Sequence, residues 1–156
     1  MLFDPKHDIS LKRLARDARL APTPTRDLFL KVSTLACPRI QLLRTAGKAR
    51  RLDQLIEAGA WTDAGATLIG LELPGWQLRR AAYDGGEWFC SLSRQPNLAA
   101  ELDDTVDASH EVLSLAMLGA FLEALRRRAV ESGSLAATTP AVKPTSAHGV
   151  CCDNFA

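Results

Sequence analysis

The stretch WQLRRAAYDGGEWFCSLS, Trp76 to Ser93, limits the fold more than any other part of the chain. Asp84-Gly85-Gly86 lies between two segments rich in strand-forming residues, which is the pattern of a β-hairpin. The register follows from the apolar rows. Residues directly opposite in an antiparallel pair point to the same side, so Trp76, Leu78 and Ala82 meet Trp88, Cys90 and Leu92 only if Leu78 faces Leu92 and Ala82 faces Trp88. That register leaves Asp84, Gly85 and Gly86 as a three-residue loop, a type I turn followed by a left-handed glycine and its bulge. The predicted inner face is Trp76, Leu78, Ala82, Trp88, Cys90 and Leu92. The outer face is Gln77, Arg79, Tyr83, Phe89 and Ser91.

Two strands alone are marginal in water, so the hairpin needs a covering layer. The segment DASHEVLSLAMLGAFLEALRRR supplies one. It has a cap residue in Ser109, Glu111 early and Arg126-Arg127-Arg128 late, as the helix dipole prefers. It is apolar at nearly every position from Val112 to Leu125, so it is expected to be buried on more than one side. Upstream, TDAGATLIGLELPGW opens with the helix-start residues Thr62 and Asp63 and stops at Pro74-Gly75. Its run Leu68 to Leu73 fits either a helix or a strand.

Before that come LKRLARDARLA, with Ser10 as its expected cap, a segment from Asp27 to Cys37 that leans toward helix, and a helix with Leu52, Leu55 and Ile56 on one stripe that stops at Gly59. The polar linker RQPNLAAELDDTVDA is expected to be exposed, and the tail after Val130 has too few apolar residues to order itself. The expected fold is α+β: an α-β-β-α core over 61–130 with a small antiparallel hairpin sheet, a basic helical N-terminal extension over 1–60 and a disordered tail over 131–156.

The run LPGWQLRRAAYDGGEWFCSLSR followed by HEVLSLAMLGAFLEAL resembles small phage-associated domains of the ABA-sandwich kind, over about residues 61–126. Those are similar in outline: a short helix, a Gly-Trp step into a β-hairpin and an Ala/Leu-rich closing helix. The resemblance implies a fold. It implies no activity, because that family has no assigned function.

Charge and cysteine content narrow the function classes. The net charge is +1. Lys and Arg outnumber Asp and Glu by 12 to 6 over residues 1–60, whereas acids lead by 10 to 6 over 61–130. Lys12, Arg13, Arg16 and Arg19 form one basic cluster, and Lys48, Arg50 and Arg51 a second; both could meet phosphates. Asp17, Asp53 and Glu57 dilute them, so a solvated helix face is the blander reading.

Cys37, Cys90 and the adjacent Cys151-Cys152 lack the spacing of a disulfide framework and read as free thiols. The N-terminus MLFDPKHD shows no secretory signal pattern, and no apolar run reaches the ~20 residues that span a bilayer. A cytoplasmic protein without a membrane role is expected.

Catalytic and ligand patterns are weak. His7 and His148 fall in the ends of the chain, and His110 at a helix start is more often a solvated residue than a base. Adjacent cysteines chelate a tetrahedral ion poorly, and no glycine-rich phosphate loop occurs. Asp103, Asp104, Asp107 and Glu111 read as linker charge. The expectation is a non-enzymatic binding or accessory module, without cofactor or metal. Its partner would be a protein or a second copy of the chain, met through Arg79, Tyr83 and Phe89 on the hairpin's outer face. The alternative is a nucleic-acid-associated protein that uses the basic N-terminal helices.

Overall fold

The computed structural model describes residues 5–99 and 101–137. Helices α1 (Pro5–Leu20), α2 (Arg26–Leu35), α3 (Pro38–Thr45), α4 (Arg50–Glu57) and α5 (Trp61–Glu72) come first, then strands β1 (Gln77–Asp84), β2 (Glu87–Ser93) and β3 (Val106–His110), and finally α6 (Leu113–Ala137). The strands form one antiparallel sheet in the order β1-β2-β3. The class is α+β.

The N-terminal helices begin where local chemistry allows. Thr25 caps α2, its hydroxyl accepting the Leu28 N–H at 3.3 Å, and Pro38 opens α3 at a position whose N–H would have no helical partner. Ser10 is no cap. It lies inside α1 and donates its hydroxyl to the Lys6 carbonyl, because the helix starts upstream at Pro5. The run from Leu68 is helical as far as Glu72, which settles the ambiguity left by the glycines Gly65 and Gly70 of α5.

Each of these helices turns an apolar stripe inward: Leu11, Leu14 and Ala18 from α1, Leu28, Phe29 and Val32 from α2, Leu52 and Ile56 from α4. They join Leu68, Cys90, Leu92, Leu115, Leu118 and Phe121 in one hydrophobic cluster. Residues 1–60 therefore share a core with the hairpin as far as they are described.

The central element is α6, buried on several sides as its composition predicts. It packs on α1, on α5 and across β2 and β3. Gly119 permits the closest approach, since a Cβ there would stand 3.1 Å from Cβ of Ala108 on β3. Its C-terminal half is tied to α5 through Glu72, whose side chain is fully buried. Arg128 donates to the Glu72 carboxylate at 3.0 Å and to its carbonyl at 2.7 Å, and the other carboxylate oxygen accepts the Ile40 N–H at 2.9 Å. One side chain thus caps α3 and anchors α6, so a charge that is expensive to bury has its partners in place.

Two expectations fail here. The supposed linker holds a third strand, Val106–His110, so α6 begins at Leu113 and Ser109 lies in a strand rather than at a helix cap. The helix also runs on to Ala137, past the predicted boundary at Val130. The rest of the expected disordered tail, with His148, Cys151 and Cys152, lies outside the described residues.

Candidate interaction surface

Asp84 faces Glu87 across Gly85 (φ 58°) and Gly86 (φ 95°), so the hairpin loop has two residues, both left-handed. That conformation matches the right-handed twist of the strands, and consecutive glycines adopt it without a Cβ clash. The expected three-residue loop is therefore wrong. The extra residue needed to keep Leu78 opposite Leu92 appears in the strand instead, as a bulge at Arg79 between Leu78 and Arg80.

The bulge holds because Arg79 has partners off the strand. It pairs with the nearly buried carboxylate of Asp103 and donates to the Leu98 carbonyl at 3.0 Å. Ser93 donates its hydroxyl to the same Asp103 at 2.7 Å. That hydrogen bond first, and the Arg79 charge after it, hold the Asp103 carboxyl below its ordinary pKa against the opposing effect of burial. Arg79 is thus a strap over the 94–105 segment, not a free recognition residue.

Moving the bulge from turn to strand exchanges the faces between them. Ala82 lies opposite Phe89 rather than Trp88, and Tyr83 lies opposite Trp88, with ring centroids 5.3 Å apart. The expected trio of Arg79, Tyr83 and Phe89 does not share one face. Phe89 stands 44% exposed on the side away from α6, near Ser91, whose hydroxyl bonds to Asp107. Tyr83, 61% exposed, is on the α6 side.

On that α6 side, exposure grades across the sheet. Cys90 and Leu92 on β2 and Val106 on β3 are buried. Burial pushes the Cys90 thiol up to about 11 and raises the Cys37 thiol further, with Glu72 adding to the effect at Cys37. On β1 the same face carries Leu78, Ala81 and Tyr83, all exposed, with half-buried Trp88 beside them. The substantial contacts of β1 are with β2 alone, so α6 leaves this strip uncovered. Among the described residues no strand lies beside the opposite edge of β1.

The other candidates fall into separate places. Lys12 pairs with Asp8 at 2.7 Å, while Arg13, Arg16 and Arg19 are exposed on α1, and Lys48, Arg50 and Arg51 are exposed around the start of α4. α1 packs on α6 and α2, α4 on α5 and α2, so the two basic clusters stand on helices with largely different neighbours. Arg16 and Arg19 share a cleft of about 480 Å³ between α1, β3 and α6 with Arg126, which the sequence did not suggest; Asp107 and Glu123 line it too, and Arg126 pairs with Glu123 at 2.7 Å.

His110 also borders this cleft, but both of its ring nitrogens are committed to backbone. Nδ1 accepts the Val112 N–H at 2.9 Å, which leaves Nε2–H to donate to the Ala21 carbonyl at 3.0 Å. The ring joins the end of α1 to the sheet, with both nitrogens engaged. Three of the four acids are occupied as well: Asp104 pairs with Arg127 at 2.6 Å, Asp103 and Asp107 hold the bonds already described, and Glu111 stands exposed. No cluster of His, Cys, Asp and Glu suited to a metal ion occurs among the described residues, and no helix there is long and apolar enough to cross a membrane. Comparison with protein-family models, curated proteins and solved structures finds no match for this chain.

Proposed function

We propose that this protein is a small non-enzymatic module that binds another protein through β1. The observation that carries this reading is the uncovered strip of Leu78, Ala81, Tyr83 and Trp88 beside an open strand edge. An open edge offers backbone donors and acceptors to an added strand, and an adjacent apolar face offers pockets for its side chains. Tyr83 and Trp88 are residue types that supply binding energy at interfaces. A cytoplasmic setting belongs to the reading and is supported by the free buried thiols Cys37 and Cys90.

The test is retention of partners by the immobilised full chain, compared between the wild type and Tyr83→Lys, followed by titration of each purified partner. A partner whose affinity drops at least tenfold with Tyr83→Lys, and little with Arg16→Glu, supports the reading. Partners indifferent to every substitution on β1 overturn it.

A second reading is favoured by the convergence of Arg16, Arg19 and Arg126 on one cleft: association with nucleic acid through phosphates. Its signature is binding to labelled oligonucleotides that falls steeply with salt and is lost with Arg16→Glu plus Arg19→Glu. Absence of binding at low salt removes it.

A further inference from the structure

We infer that the partner of β1 is a second copy of the same strand, joined antiparallel about a two-fold axis at Ala82, so that two three-stranded sheets become one. This rests on the reading of β1 as a binding edge and names its occupant.

The backbone restricts the registers. The two-residue loop makes Asp84 and Glu87 a hydrogen-bonded pair, so the N–H and C=O of Asp84, Ala82 and Arg80 point toward β2. Those of Tyr83 and Ala81 therefore point out of the open edge. The bulge at Arg79 ends the regular strand on the other side, so pairing is confined to Arg80–Asp84. Within that segment an antiparallel partner must place outward groups opposite outward groups. Placing Ala81 opposite the second copy's Tyr83 satisfies this twice over by symmetry and sets Ala82 opposite itself.

The side chains agree with this register. On the α6 side, each Tyr83 ring covers the partner copy's Ala81, and the two exposed strips become continuous. On the other side, Arg80 comes opposite Asp84 of the second copy, again twice. Both residues are exposed, and neither forms an ion pair among the described residues of its own chain. Opposite charges in directly facing positions stabilise a strand pair, and like charges oppose it. Self-pairing centred one residue earlier or later loses the Arg80–Asp84 match. This charge complementarity selects a copy of the chain over an unrelated strand.

The experiment is sedimentation equilibrium of the full chain over a wide concentration range, with Arg80→Asp, Asp84→Arg and the double exchange. Each single reversal is expected to weaken the dimer by roughly tenfold, and the double exchange to restore it. A second measurement is independent of the charges. Ala82 faces itself in a non-hydrogen-bonded pair, where Cα atoms stand about 4.5 Å apart, within disulfide reach. Ala82→Cys, in a background with Cys151→Ser and Cys152→Ser, is expected to cross-link on mild oxidation, whereas Ala81→Cys is not.

A monomer at all concentrations overturns the inference, as does a dimer that ignores the charge reversals and fails to cross-link at Ala82. A monomer that still binds another protein in a Tyr83-dependent way overturns only the self-pairing and leaves the binding-edge reading in place. If neither self-pairing nor Tyr83-dependent binding occurs, both fall. Circular dichroism of each variant verifies that these exposed substitutions leave the fold intact.

Discussion

The two strands of the hairpin have similar apolar content and opposite fates. On β2, Cys90 and Leu92 are fully covered, whereas their β1 partners Ala81 and Leu78 are exposed. The difference is not in hydrophobicity or pairing but in what lies above: α6 crosses β2 and β3 and stops short of β1. Burial of a strand is therefore decided by the width of the layer on it. A sheet one strand wider than its cover leaves a strand free for another purpose.

The directly opposed leucines provide the sharpest way to break this comparison. Leu92→Ala should cost about 2–5 kcal/mol of unfolding free energy in denaturant melts, because it opens a cavity beneath α6. Leu78→Ala should cost about 0.5 kcal/mol or less. Equal effects would mean that β1 is covered after all.

Next comes the anchor of the covering layer. Glu72→Ala removes the carboxylate that neutralises Arg128, leaving the guanidinium only the backbone carbonyl, and strips the Ile40 N–H of its acceptor; it should cost about 2–3 kcal/mol, less than a fully buried pair because Arg128 remains partly hydrated. Hydrogen exchange should then accelerate in β2 and β3, where protection depends on α6. Exchange at the outward amides of β1, which α6 does not cover, should change little.

The turn has a smaller effect. Gly86→Ala forces a Cβ into a left-handed position and should cost about 1–2 kcal/mol, lowering Tm without altering the oligomer cross-link at Ala82.

The last effect is a pH dependence. Asp103 titrates below its ordinary value when folded, so its contribution is complete above the unfolded pKa. That contribution is lost as pH falls below the ordinary carboxylate range and through the lower folded value. Asp103→Asn should therefore flatten the acid limb of a Tm-against-pH curve relative to wild type, and leave the slope near neutrality unchanged.

The sequence made the hairpin, the all-round burial of α6 and the helical stripes legible, because each is a local pattern that repeats with its own period. It hid two features that depend on distant partners. The bulge at Arg79 exists because Asp103 and the Leu98 carbonyl receive the guanidinium, and nothing within the strand announces them. β3 alternates Val106, Ala108 and His110 inward against Asp107 and Ser109 outward, but it is short and follows an acidic stretch, so its polarity read as linker. The candidate surface was legible only in part for the same reason. Tyr83 stood out in the sequence, yet its face depended on where the extra residue went. Leu78 and Trp88 looked like core because sequence pattern does not reveal how far a covering helix extends.

The packing of α1 on α6 has a consequence for the life of the chain on the ribosome. The first helix made finds its main partner only when the last one has emerged, about a hundred residues later. At ~5–20 residues per second, the stripe of Leu11, Leu14 and Ala18 spends roughly 5–20 s outside the exit tunnel before its cover exists. Folding of the whole core is thereby postponed until α6 has been made, and a nascent chain halted before α6 would present that stripe to chaperones.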